Sequence, residues 1–223
     1  GRQNTAVGHA ALFTQSYNPG GPWNSENVAV GIQALISNQP TSSTNGYQNT
    51  AVGNQAMQFN TTGYQNTAVG YQSLYNNTTG TWNTAMGWTA LYGNTTGNHN
   101  FAGSNFAMYD NTTGSDNIAI GYTAMRYSKT GIENTVIGYQ AGFGVSGTSY
   151  SNNTLIGNSA GYNLGSGSGN VFIGNLAGYN ETGSNKLYIA NSSAAVPLIY
   201  GDFSSGNVGI GTTSPNAQLH VLS

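Results

Sequence analysis

The chain has 223 residues, of which only 4% are charged, and its formal net charge is −2. Its four basic residues are too few and too scattered to form the cationic surface that binds nucleic acids or anionic membranes. The lack of cysteine excludes disulfides and thiolate metal sites, and no apolar run approaches the roughly 20 residues of a membrane-spanning helix. We therefore expect neither nucleic-acid binding nor membrane insertion.

A short motif recurs along the whole chain: Asn, any residue, a small or apolar residue, then Val, Ile or Met, then Gly. Its copies, some of them imperfect, begin at Asn4, Asn27, Asn49, Asn66, Asn83, Asn100, Asn117, Asn134, Asn153, Asn170, Asn185 and Asn207. Between Asn49 and Asn134 the spacing is 17 residues five times running. An unbroken period of this kind indicates a repeat protein.

Each repeat contains two short stretches and a turn. Residues 66–70 (NTAVG) alternate as a strand does, residues 71–75 (YQSLY) are expected to form a second strand, and residues 77–80 (NTTG) supply a turn. The pattern predicts an all-β fold, a parallel β-solenoid or β-roll of about twelve short coils, on the order of 55–60 Å long. We assign residues 1–190 to this solenoid and residues 191–223 to a C-terminal transition segment.

Equivalent side chains of successive coils are expected to lie over one another. The Val, Ile and Met of the motif are predicted to form the interior column: Val7, Val30, Val52, Val69, Met86, Ile120, Ile137, Ile156 and Ile173. The Ala column is predicted to lie on the opposite face and to pack against copies of itself around a threefold axis. Its members are Ala6, Ala29, Ala51, Ala68, Ala85, Ala102 and Ala119.

The anchor asparagines are predicted to form an amide ladder, as stacked Asn does in cross-β structures. The clearest candidates are Asn49, Asn66, Asn83, Asn117 and Asn134. Metal or sugar binding by this column is the alternative interpretation.

These motifs resemble the head repeats of trimeric autotransporter adhesins of the YadA type. The resemblance rests on N-T-A-V-G-x-x-A-L and on the later N-T-V-I-G-Y-Q-A-G, N-T-L-I-G-N-S-A-G and N-V-F-I-G-N-L-A-G, and covers roughly residues 1–190. It implies a left-handed parallel β-roll with three chains around one axis. The repeat here is longer than the usual head repeat.

Residues 206–221 (GNVGIGTTSPNAQLHV) resemble a segment of phage tail-fibre and bacterial surface proteins. In those proteins the segment often precedes an intramolecular chaperone of the endosialidase type. The chain ends at Ser223 without such a domain and begins in mid-repeat, so we expect it to be a piece of a longer fibre.

Catalytic groups are scarce. The chain has three His and six acidic residues, and no pair or cluster of them has the spacing of a glycosidase or a metal site. Asp110 and Asp116 flank one turn, which explains both. We therefore expect no enzyme activity and no cofactor.

Aromatic residues recur at two positions of the repeat and carry the strongest functional signal. The first set is Tyr71, Trp88, Tyr122 and Tyr139; the second is Tyr75, Tyr92 and Tyr109. Rings among Asn, Gln and Thr suit glycan contact, whereas the alternative is that they stabilise the rod. The Asn-Thr-Thr turns also match N-x-(Ser/Thr), a weak signal for glycosylation, at Asn60, Asn77, Asn94 and Asn111.

Three functions follow in order of preference. The first is a structural and adhesive shaft segment of a homotrimeric extracellular fibre, on a phage tail (virion) or a bacterial cell surface, for host attachment and with weak multivalent glycan contact. The second is an ice-binding or surface-binding solenoid, which needs a Thr column. That column (Thr5, Thr50, Thr67, Thr84, Thr135, Thr154) is interrupted by Val28, Phe101, Ile118 and Val171. The third, a polysaccharide-degrading tail spike, is disfavoured by the lack of paired carboxylates.

Overall fold

The computed structural model describes residues 3–15 and 23–222. Gly1, Arg2 and Ser223 lie outside the described residues. They are the ends of the predicted segments 1–190 and 191–223, and the interpretation of the chain as part of a longer fibre also uses them.

Fourteen short strands form one sheet in which each strand neighbours the next along the chain. Their bounds are β1 (Thr5–Val7), β2 (Val28–Val30), β3 (Thr50–Val52), β4 (Thr67–Val69), β5 (Thr84–Met86), β6 (Phe101–Gly103), β7 (Ile118–Ile120), β8 (Thr135–Ile137), β9 (Thr154–Ile156), β10 (Val171–Ile173), β11 (Lys186–Ile189), β12 (Ile199–Asp202), β13 (Asn207–Ile210) and β14 (Leu219–Val221). The described residues contain no helix. The prediction of an all-β parallel solenoid is confirmed.

Strands β1 to β11 are parallel and in register, so that Ala68 pairs with Ala85 and Val69 with Met86. The compact part of the stack has about eight turns, from β3 to β11, and β1 and β2 join it through longer connections. Eight turns at the usual strand spacing of about 4.8 Å span about 40 Å. The predicted count of twelve coils is therefore wrong. In particular, the copy beginning at Asn207 is not a parallel coil, because β12 pairs antiparallel with both β11 and β13.

Each turn contains one strand, and the prediction of two strands per repeat is wrong. In the second stretch Gln72 and Leu74 both have φ of 51°, in the left-handed region that a strand cannot use. Equivalent residues of other coils, such as Gln55 and Leu91, also have positive φ. Residues 71–75 therefore form a bend that turns the chain back beneath its own strand.

The predicted interior is inverted in the structure. Ala68 and Ala85 are fully buried, whereas Val69 and Met86 are 37% and 48% exposed. The reason is the anchor Asn: Asn66 is buried, and residues two apart in a strand point to the same face. The side chain of Ala68 therefore points inward with that of Asn66, and the Thr and Val side chains of the motif point outward.

The core has two walls, formed by the middle residue of each strand and by the residue six positions later. Which of the two is large changes along the stack. In β3 to β7 the small strand Ala faces a large residue six positions later, as in Ala85 and Leu91, both fully buried. In β8 to β10 the strand residue becomes large and its partner becomes Gly. The pairs are Val136 with Gly142, Leu155 with Gly161 and Phe172 with Gly178. A Cβ at position 178 would lie 2.6 Å from Phe172 Cδ2, so the glycine makes room for the ring.

Candidate functional site

The outward face of the sheet is an uncharged strip two columns wide from β1 to β10. One column contains Thr, Val, Phe and Ile, and the other contains Val, Met, Gly and Ile. Its most exposed members include Val7 (58%), Met86 (48%), Ile118 (42%) and Ile120 (40%). Monomeric soluble proteins rarely expose an apolar patch of more than a few hundred Å². We call this face the outer strip.

The first aromatic set flanks the outer strip, directly after the Gly that ends each strand. Tyr71, Trp88, Tyr122 and Tyr139 are between 43% and 50% exposed. The ring centroids of Tyr71 and Trp88 lie 6.4 Å apart, with 40° between the ring planes. Those of Tyr122 and Tyr139 lie 5.7 Å apart, with 13° between the planes. Phe106 fills the gap between Trp88 and Tyr122 with edge contacts to both rings. The structure thus brings these four side chains to one exposed column.

The second aromatic set belongs to a longer column that the sequence pattern did not predict. Tyr75, Tyr92 and Tyr109 stack in parallel with 5.0 Å between ring centroids. The column continues below Tyr75 and beyond Tyr109, and its further members are Phe59, Arg126, Tyr127, Phe143, Tyr162 and Tyr179. We call it the aromatic ridge.

Arg126 joins the two halves of the ridge. Its guanidinium carbon lies 5.2 Å from the Tyr109 ring and 5.3 Å from the Tyr127 ring, within cation–π distance of both. The aromatic residue shifts by one position there: Tyr109 directly follows Met108, whereas Tyr127 is the second residue after Met125. The 17-residue period alone therefore does not predict that the column continues beyond Tyr109.

The two aromatic sets differ in what a ligand could contact. Within the ridge, Tyr75, Tyr92 and Tyr109 cover one another's ring faces, since parallel planes with centroids 5.0 Å apart leave no room between them. Edges and hydroxyl groups remain accessible. The rings of Tyr71 and Trp88 are tilted and about half exposed. A sugar needs the ring face, so the geometry favours the first set for glycan contact.

The anchor asparagines lie over one another inside the solenoid. Asn83 Nδ2 donates to Asn66 Oδ1 (3.2 Å) and to the carbonyl oxygen of Gly97 (2.8 Å), and the Asn83 backbone N–H donates to the same Oδ1 (3.0 Å). The arrangement repeats from Asn49 to Asn66 and onward to Asn117, Asn134 and Asn153, all of them buried. Every one of these amides therefore has protein partners, and the ladder needs no ligand.

A second Asn ladder runs through the turns, where the sequence suggested only turn chemistry. Nδ2 of each asparagine donates to Oδ1 of the preceding one at 2.7 to 2.9 Å, along the column Asn38, Asn60, Asn77, Asn94 and Asn111. All five are fully buried. The Asn-Thr-Thr turns at Asn60, Asn77, Asn94 and Asn111 therefore present no accessible Asn amide in the folded chain.

Charged groups are few and separate. His99 Nδ1 lies 3.5 Å from Asp116 Oδ1, with both side chains exposed, and Lys186 Nζ lies 2.8 Å from Asp202 Oδ2. The hydrogen bond from Lys186 holds the pKa of Asp202 below its usual value, while burial raises the pKa of Asp110 against the effect of Arg126. Within residues 3–15 and 23–222, no group of three or more His or acidic side chains is placed to hold a metal.

A cleft of about 240 Å³ lies where the ridge ends, at the junction with the segment after β11. Its lining includes Tyr179, Asn180, Glu181 and Tyr188 from the last turn and Ser193 to Ala195 from the following loop. Glu181 Oε2 accepts the hydroxyl of Tyr188 (2.8 Å), and Oε1 accepts the backbone N–H of Gly183 (2.7 Å). Burial and the neighbouring Glu181 raise the pKa of Tyr188. Because this cleft depends on the loop that follows the repeats, no periodic signal pointed to it.

Comparison of the chain with family models, with curated proteins and with solved structures finds no significant match. The part of the chain that the structure describes has no helix long and apolar enough to cross a membrane.

Proposed function

We propose that this chain is a structural and adhesive shaft segment of a homotrimeric extracellular fibre, on a phage tail or a bacterial surface. The observation that carries the proposal is the outer strip. It is uncharged and continuous along the stack, one of its two columns is apolar throughout, and a neighbouring copy with the same spacing is the partner that matches it coil by coil.

The sequence predicted the trimer interface on the Ala column, whereas the proposal places it on the outer strip. The Ala column cannot form it, since Ala29 to Ala119 are fully buried within the chain. The outer strip instead offers Ile and Val side chains on adjacent strands, without a charged group whose desolvation would oppose association. Three strips meeting around one axis would bury the apolar surface that a single chain leaves in water.

Sedimentation equilibrium at micromolar concentration tests the proposal. We expect a mass of three chains of 23.1 kDa for the native protein. Ile120→Lys places a charge in the middle of the strip and should yield monomers. Thr113→Lys, at an exposed turn position away from the strip, is the matched control and should remain trimeric. A native protein that is monomeric would refute the trimer, and a trimeric Ile120→Lys protein would exclude the strip as its interface.

Glycan contact is the adhesive part of this proposal, and the exposed column of Tyr71, Trp88, Tyr122 and Tyr139 supports it. Equivalent weak sites on three chains add by multivalency. A glycan array probed with the native protein and with Trp88→Ala tests this part. We expect the variant to retain the trimer and to bind the array more weakly, and equal binding by both proteins would count against the column.

Ice or surface binding is the second candidate, and one observation favours it. Thr50, Thr67 and Thr84 lie side by side on three adjacent strands of the outward face. Phe101 and Ile118 then interrupt the row. A thermal hysteresis measurement separates the two functions, because a strip buried in a trimer cannot contact ice.

A further inference from the structure

We propose that the cleft at the end of the aromatic ridge binds one neutral pyranose unit of a glycan, with the ring of Tyr179 as its platform. The site is a single one per chain and is separate from the exposed Tyr71 column.

The first argument is the position of Tyr179 in the ridge. One face of its ring stacks on Tyr162, with centroids 4.9 Å apart and planes at 2°. No further ring stacks on Tyr179 among the described residues, and Tyr179 lines the cleft. It is thus the one parallel-stacked tyrosine at this end of the ridge with a face left for another flat apolar surface. The C–H face of a pyranose is such a surface, and it packs on aromatic rings as other apolar groups do.

The second argument is the polar lining. Glu181 uses its two oxygens to accept the Tyr188 hydroxyl and the N–H groups of Thr182 (3.0 Å) and Gly183 (2.7 Å). A carboxylate has about four acceptor positions, so at least one remains for a ligand hydroxyl. The Asn180 amide oxygen accepts from Asn163 (2.8 Å), which fixes the amide orientation and leaves Nδ2 as a donor without a partner in the described chain. The cleft therefore combines a fixed hydrogen-bond acceptor (Glu181), an oriented donor (Asn180) and an aromatic ring (Tyr179).

Size and charge narrow the ligand further. A volume of about 240 Å³ lies below the range of about 300 Å³ and upward that is typical of drug-sized ligands, so the cleft fits one small unit rather than a chain. Glu181 is the only charged residue of the lining, and no Lys or Arg accompanies it. An anionic sugar would meet an unbalanced carboxylate, whereas a neutral hexopyranose would not.

This inference deepens the adhesive part of the proposed function, and it can fail separately from it. A free glycoside needs only the cleft, so binding does not require the trimer. Failure of the trimer would leave the cleft intact, and failure of the cleft would leave the outer strip and the shaft unaffected.

Saturation-transfer NMR and calorimetric titration with a panel of neutral methyl hexopyranosides test the site. We expect one glycoside to bind at about one per chain with a millimolar Kd, which corresponds to about −4 kcal/mol. Tyr179→Ala should weaken binding at least tenfold, whereas Tyr179→Phe should retain it. Tyr64→Ala, in the separate Tyr47–Tyr64 stack outside both aromatic columns, is the matched control and should not change it.

Two further measurements keep the test decisive if Tyr179→Ala disturbs the ridge. Ser193→Trp adds a large side chain from the loop side of the cleft without touching the stack, and it should abolish binding while circular dichroism stays native. Tetramethylammonium is the competing probe. The proposal is overturned if no glycoside binds, if binding is lost in Trp88→Ala of the exposed column rather than in Ser193→Trp, or if the cation alone binds and Glu181→Gln removes it.

Discussion

At the scale of single residues, the two Asn ladders explain how so polar a chain has an interior. Asn77 Nδ2 donates to Asn60 Oδ1 (2.7 Å) and to the carbonyl oxygen of Gly80 (3.0 Å), while Asn77 Oδ1 accepts from Asn94 Nδ2 (2.8 Å). A buried polar group is costly unless it is bonded, and here the amides of Asn60, Asn77 and Asn94 are bonded on both sides by their own copies in the adjacent coils. Asn111 Oδ1, at the end of the ladder, has no partner among the described residues. The polar composition is thereby compatible with a dry core.

Replacing Asn77 by Ala should destabilise the protein by about 3 kcal/mol, because three hydrogen bonds are lost and the buried Asn60 Oδ1 loses its donor. Asn76→Ala changes the same residue type one position away, where the side chain makes no hydrogen bond within the described chain, and should change stability by less than about 0.5 kcal/mol. Urea denaturation followed by circular dichroism measures both. Equal effects of the two substitutions would show that the ladder contributes no net stability.

The inside and outside of the strand illustrate what could be learned from the sequence at this scale. The period alone predicts that equivalent residues stack, and it places Asn83 over Asn66. It does not say which face is buried, because both Ala68 and Val69 are apolar. The deciding factor is that an amide ladder stabilises the fold most where water is excluded, so Asn66 is buried. Ala68, two positions later, points to the same face and is therefore buried too. The larger Val side chain gave the opposite and wrong prediction.

At the scale of the elements, each coil is a narrow layer whose two walls must fill a constant gap. Ala85 faces Leu91 in one coil, and Phe172 faces Gly178 in another, with the same separation of six residues. Leu91 has φ of 54°, a conformation that glycine adopts without strain, so the exchange is compatible with the backbone. The motif therefore has two interchangeable forms, A-V-G-x-x-A-L and V-I-G-x-x-A-G.

This exchange predicts strong coupling between positions 85 and 91. Ala85→Leu alone should cost about 1 to 3 kcal/mol by overpacking, and Leu91→Gly alone about 2 to 5 kcal/mol by leaving a cavity. Together they should cost less than the sum by about 1 to 3 kcal/mol. A double-mutant cycle by chemical denaturation measures the coupling.

Ala119→Leu combined with Leu91→Gly is the control cycle for that prediction, since these positions lie two coils apart. Its coupling should stay below about 0.5 kcal/mol. Similar coupling in both cycles would mean that the core relaxes along the stack rather than coil by coil.

The prediction of a second strand fails at this same scale. Residues such as Tyr71 to Tyr75 have the composition of a strand, but Gln72 and Leu74 are held at positive φ. That conformation is energetically costly for a residue with a side chain. A hydrogen bond to the next coil offsets the cost, because the Leu74 N–H donates to the carbonyl oxygen of Ala90 (2.9 Å). Local propensity cannot anticipate a bend that only the neighbouring coil stabilises.

At the scale of the whole molecule, the solenoid is nearly one-dimensional, because each coil contacts mainly the coils beside it. The parallel stack ends where β12 reverses direction, and this reversal was not predictable from a repeat that continues in the sequence to Asn207. The cleft lies at this end for the same reason: a regular coil offers only shallow surfaces, and a pocket needs a break in the repeat.

Deleting residues 83–99, one full 17-residue period, should yield a folded protein that is shorter by one coil, because Trp82 then joins Asn100 in the register that Asn83 had. Stability should fall by roughly the contribution of one repeat and its interface. Deleting residues 83–91 instead removes half a period and should prevent folding of the stack. Circular dichroism and urea titration distinguish the two, and equal unfolding of both variants would contradict the one-dimensional model.

The order of the strands also determines how the molecule responds to tension. Strand order follows chain order, so β1 and β14 lie at opposite ends of the sheet, and the hydrogen bonds between strands point along the line that joins them. A pull on the two ends loads one pair of strands at a time rather than many in shear. Extension should then proceed as a saw-tooth in which each event frees about 17 residues, or about 60 Å of extended chain. Under tension the chain would act as a tether that lengthens by one coil at each step.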